Sequence, residues 1–68
     1  MNEEALNLSV RKFLKTFGVT AQREIETAVR EAAKAGRLKG KKTLAATATL
    51  SVEGLGLSRA IKARIALE

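Results

Sequence analysis

Apolar residues recur every three or four positions near the start of the chain, and this spacing predicts a helix over about residues 3–17. Its expected apolar stripe consists of Leu6, Val10, Phe13, Leu14 and Phe17. Asn2 is a favourable N-cap, and the two glutamates that follow it suit the positive end of the helix dipole. Gly18 is expected to end the helix because glycine readily adopts a positive φ.

A second helix is predicted over about residues 21–35, after a short turn. Thr20 can cap its start, and Gly36 is expected to end it. Its apolar stripe is narrower and consists of Ile25, Val29, Ala32 and Ala33. Glu26 and Arg30 are four residues apart in the order that favours an ion pair.

In the second half of the chain apolar and polar residues alternate, and this period of two predicts strands over about residues 43–52 and 57–67. The stretch EGLG at residues 53–56 is a turn signal between them. Pairing Val52 with Leu57 places the apolar residues of both strands on one face, as a hairpin over a core requires.

These elements predict a single α+β domain over residues 1–68, with the two helices packed on one face of the antiparallel β-hairpin. An isolated two-stranded ribbon is marginally stable and has two open edges. We therefore expect self-association through the hairpin edge, which would join two copies into a homodimer with a four-stranded sheet.

The composition argues against catalysis. The 68 residues include no Cys, His or Asp, and their only acids are seven Glu, so a disulfide or a thiolate metal site is excluded. A zinc site built from carboxylates alone would suit that metal poorly. Serine hydroxyls have no histidine to activate them. We expect a non-enzymatic protein without a metal or a cofactor.

The charge balance points to acidic partners. Thirteen Lys and Arg against seven Glu give a net charge of +6, which favours nucleic acid or an acidic protein. The basic side chains expected to contact phosphates are Arg37, Lys39, Lys41 and Lys42 in the turn, with Lys62 and Arg64 on the β-ribbon. The alternative is that these side chains are only solvated and keep a small protein in solution.

The basic turn, KAGRLKGKKT at residues 34–43, nearly matches a phosphate-binding loop. That motif needs four residues between its first glycine and its Gly-Lys pair, and Gly36 and Gly40 enclose only three. It also follows a strand and opens a helix, whereas this turn is expected to follow a helix and open a strand. The spacing and the context therefore argue against a nucleotide site.

The segment FLKTFGVTAQREI, followed by a basic turn and a hairpin, suggests a winged helix-turn-helix. The detailed pattern departs from that motif, because Leu14 takes a position that is usually small. Glu24 and Thr27 take positions that are usually apolar. A plain helical hairpin is the favoured interpretation.

No apolar run has the length of a membrane span, and the beginning of the chain, MNEEALNLSV, is acidic where a secretory signal would be basic. The expected compartment is the cytoplasm.

The segments LNLSVRKFLKTFGVTAQREIETAVREA and LSVEGLGL, together with the final IALE, resemble an uncharacterised family of very short bacterial proteins. The resemblance implies a compact domain of bacterial origin and no activity, ligand or site that can be transferred. The sequence as a whole predicts a small binding or interaction module, with nucleic-acid binding as the alternative.

Overall fold

A computed structural model describes all 68 residues and contains one helix and two strands: α1 (Glu3–Lys34), β1 (Thr43–Val52) and β2 (Leu57–Ala66). The chain divides into two compact units, residues 1–38 and 39–68. The predicted α+β class is confirmed. The seating of helices on the hairpin and the single domain stay predictions.

The prediction of two helices is wrong, because α1 runs without a break through Gly18. Positive φ values occur at other glycines and not at this one. A glycine inside a helix costs only about 1 kcal/mol relative to alanine. Breaking the helix there would leave four carbonyls and four N–H groups without partners in the helix, so the hydrogen-bond ladder continues.

Both ends of α1 are capped by the residues that the sequence indicates. The side chain of Asn2 accepts a hydrogen bond from the Ala5 N–H at 3.0 Å. At the other end Gly36 has a φ of +74°, and its N–H donates to the Ala33 carbonyl at 3.1 Å. The Arg37 N–H donates to the Ala32 carbonyl at 3.0 Å, which completes a Schellman motif.

The hairpin has the predicted register. Val52 pairs with Leu57 at the turn, and Thr43 pairs with Ala66 at the open end. The second strand ends one residue before the predicted limit, although the Leu67 N–H still donates to the Lys42 carbonyl at 2.8 Å. The half-buried residues of the hairpin lie on its apolar face and include Leu44, Ala46, Ala48, Leu50, Leu57 and Ile65.

Neither unit has a buried residue. Phe17 on the helix is 47% exposed and Ile61 on the hairpin is 55% exposed. Large apolar side chains left in water favour association, since their burial against a partner contributes about 25 cal/mol for each Å² removed from solvent.

The unbroken helix makes opposite predictions for two glycines. We expect Gly18→Ala to stabilise α1 by up to about 1 kcal/mol, because alanine is the better helix former and its Cβ would meet no atom within 4 Å. Gly36→Ala is the control and should destabilise, because a side chain is strained at a positive φ. Thermal unfolding followed by far-UV circular dichroism measures both. A loss of helix in Gly18→Ala would contradict the continuous helix.

Candidate functional site

One face of α1 forms a continuous apolar line, which we call the helix stripe. Its members are Val10, Leu14, Phe17, Ala21, Ile25, Ala28 and Ala32. At about 100° of rotation per residue these seven side chains lie within about 40° of one direction. The stripe therefore keeps its phase across Gly18 and extends for about 33 Å along the helix.

The helix stripe changes character along its length. Its first part has large side chains, and Leu14 is 52% exposed. Phe13, at the border of the stripe, lies near Phe17 with the ring centroids 6.4 Å apart. The second part consists mainly of alanine, with Ile25 as its one large side chain. A partner element can therefore approach the second part more closely than the first.

The two parts of the helix carry net charges of opposite sign. Residues 5–18 contain three basic residues and no acid, whereas residues 19–33 contain three Glu and two Arg. Glu26 accepts a hydrogen bond from the Gln22 side chain at 3.1 Å and lies 3.7 Å from the Arg30 guanidinium. The ion pair of Glu26 with Arg30 predicted from the spacing is thus present, on an exposed surface where such pairs contribute little.

The hairpin gathers basic side chains near its open end. The Arg64 guanidinium donates to the Thr43 hydroxyl at 3.3 Å, across the first pairs of the ladder. Lys41 and Lys42 immediately precede Thr43, and Lys62 pairs with Thr47 further along. We call Lys41, Lys42, Lys62 and Arg64 the basic hairpin end. Of the two acids of this unit, Glu53 lies in the turn at the other end of the hairpin. Glu68 lies at the open end itself, directly after Leu67, whose N–H donates to the Lys42 carbonyl.

The other two predicted contact residues belong to different units, and only Lys39 shares the unit of this cluster. Arg37 belongs to the helical unit, where its backbone completes the cap of α1, and Lys39 begins the hairpin unit. The hairpin register therefore places two of the six predicted residues, Lys62 and Arg64, on the strand that pairs with β1, and two more, Lys41 and Lys42, immediately precede β1. Thr43, which accepts a hydrogen bond from Arg64, was not predicted. The strand register places Arg64 opposite Ala45, which is two residues from Thr43, and so it did not indicate this side-chain contact.

The helix-turn-helix interpretation is wrong, because the supposed turn at residues 18–20 is helical. That motif needs a second helix whose first turn begins near Thr20, and no helix begins there. The winged-helix form of nucleic-acid binding is excluded with it.

No group of three acidic side chains comes together to hold a metal ion. A hollow on α1, lined by Leu8, Ser9, Arg11, Lys12 and Lys15, is open to solvent.

The structure contains no helix whose length and apolar character together would let it cross a membrane.

Comparison with curated proteins finds no match, and comparison with solved structures finds none either. The model of one protein family covers residues 1–68, which is the full length of the sequence in hand. The chain belongs to that family, which is a family of unknown function (DUF6494).

Proposed function

We propose that this protein is a non-enzymatic interaction module that binds another protein through the helix stripe. The observation that supports the proposal is the exposure of the stripe in a chain without a buried residue. Val10, Leu14, Phe17 and Ile25 are each 40–52% exposed and lie in one line. A contiguous apolar surface of this kind typically marks a protein interface.

The absence of catalysis is part of the proposal and rests on the residue types. General acid–base chemistry usually draws on His, Asp, Glu, Cys, Lys or Tyr, and this chain has only Glu and Lys. Its glutamates are spread along α1, the turn and the last residue. Edge-to-edge pairing of two hairpins remains a further contact that such a module can make.

A photo-crosslinking amino acid placed in the stripe tests the interaction. We expect that replacing Phe17 with benzoylphenylalanine gives one recurring protein adduct in cells that produce the chain, because this position lies in the proposed interface. Lys12 is the control, since about 100° per residue places it on the opposite side of the helix from the stripe. Mass spectrometry identifies the adduct. The absence of an adduct at Phe17, or equal adducts at both positions, would contradict the proposal.

A second candidate function is contact with nucleic-acid phosphates through the basic hairpin end. What favours it is the clustering of Arg64 at Thr43 beside Lys41 and Lys42. Residues 39–68 contain six Lys and Arg against two Glu, a net charge of +4. Contacts of this type position a protein on a duplex without reading its sequence.

A salt titration of duplex DNA binding tests this second function. We expect log affinity to fall linearly with log salt, because each phosphate contact releases counterions. Lys41→Ala and Lys42→Ala should each reduce the slope by about 0.9. Lys12→Ala removes the same charge from α1 and should leave the slope unchanged. If the chain does not bind DNA at low salt, nucleic-acid binding is eliminated.

A further inference from the structure

We propose that the occupant of the helix stripe is a second copy of this chain, lying antiparallel with its Ala21 facing the Ala21 of the first. This inference deepens the proposed function and rests on it. It follows from three properties of α1: the order of the stripe spacings, the distribution of the stripe side-chain sizes and the change of net charge along the helix.

The spacings between successive stripe residues are four, three, four, four, three and four. This order is the same in both directions, with Ala21 at its centre. Turning a second helix end to end about Ala21 therefore brings every stripe residue opposite another stripe residue. The facing pairs are Val10 with Ala32, Leu14 with Ala28, Phe17 with Ile25, and Ala21 with Ala21.

Side-chain size also favours the antiparallel order. The large residues Val10 and Leu14 each face an alanine of the other copy, so that ridges meet grooves along the pair. A parallel pair would place Phe17 against Phe17 and Ala28 against Ala28, with crowding at one end and gaps at the other. A repeat of eleven residues is close to the natural 3.6-residue turn, so the two helices are expected to pack with only a slight right-handed twist.

The distribution of charge along the helix favours the same orientation. In the antiparallel pair the first part of one helix, with three basic residues and no acid, lies alongside the second part of the other, which has three Glu and two Arg. A parallel pair would instead place the two basic first parts side by side.

A second copy explains these features better than a lipid surface does. Glu24 and Glu31 lie near one border of the stripe, where an anionic membrane would repel them. Residues 8–34 of the two helices overlap for about 40 Å, on a helix about 10 Å wide. The projected footprint of about 400 Å² is below the roughly 800 Å² per partner of a standard interface, so the dimer should dissociate on dilution.

Single cysteines test the arrangement directly, because the natural chain has none. We expect Ala21→Cys to form a disulfide-linked dimer by itself, since facing Cα atoms in closely packed helices lie roughly 4–6 Å apart. Val10→Cys and Ala32→Cys should each remain unlinked alone and give a mixed dimer when combined. Lys12→Cys, on the opposite side of α1, is the control and should stay without a disulfide link. Circular dichroism verifies that each variant keeps its helix.

Sedimentation equilibrium gives a second readout that does not need a crosslink. We expect the natural chain to show a monomer–dimer equilibrium whose dimer fraction rises with concentration over a dilution series.

The outcomes separate this inference from the proposed function. Self-linking of Val10→Cys and of Ala32→Cys without a mixed dimer would indicate a parallel pair and overturn the inference. A dimer that forms without any helix crosslink would indicate pairing through the hairpin edge and overturn it too. A chain that is monomeric at millimolar concentration overturns the inference as well. If such a monomer binds anionic vesicles and no protein, the proposed function fails with it. If such a monomer crosslinks to a different protein at Phe17, the proposed function stands.

Discussion

The unbroken hydrogen-bond ladder of α1 determines what the rest of this molecule can do. Because the ladder continues through Gly18, the apolar residues before and after it share one axis and one rotation. They therefore form a single line. If the chain turned at Gly18, the same residues would form two short stripes that could pack against each other. A chain that folded back at Gly18 could satisfy its own apolar surface, and a straight helix of 32 residues cannot. The exposure of the helix stripe is thus a consequence of backbone continuity.

The hairpin was predictable almost completely from the sequence, because its signal is redundant. The alternating positions of the two strands agree on one register, with Arg59 opposite Leu50 as the exception on the apolar face, and a slip of one residue would turn every side chain to the wrong face. The prediction at Gly18 failed because it depended on a local preference of about 1 kcal/mol. A better signal was present in the phase of the apolar positions, since Phe17, Ala21 and Ile25 continue the spacing of Val10 and Leu14. Two helices joined by a turn have no reason to keep that phase.

The candidate surfaces were predictable only in part. Sequence identified the basic residues but could not separate them, and the fold assigns Arg37 to the helical unit and Lys62 with Arg64 to the hairpin unit. The contact of Arg64 with Thr43 depends on side-chain conformation across the ladder, which alternation alone does not specify. For the helix, dividing the apolar positions between two short stripes hid the symmetry about Ala21, which becomes visible only when the two stripes are joined.

The two surfaces suit different kinds of partner. The side chains of the basic hairpin end are long and solvated, so this surface is charged but has no fixed shape. A surface of this type attracts polyanions in a salt-dependent way. The helix stripe offers shape with little net charge, and its palindromic order suits one particular partner geometry. If that partner is a second copy, burial of apolar surface by this chain takes place on association. The free energy of folding then includes that of dimerisation, and the stability of the helix depends on the protein concentration. In that case a chain of 68 residues without a disulfide would gain from a second copy the apolar contacts that its own length does not supply.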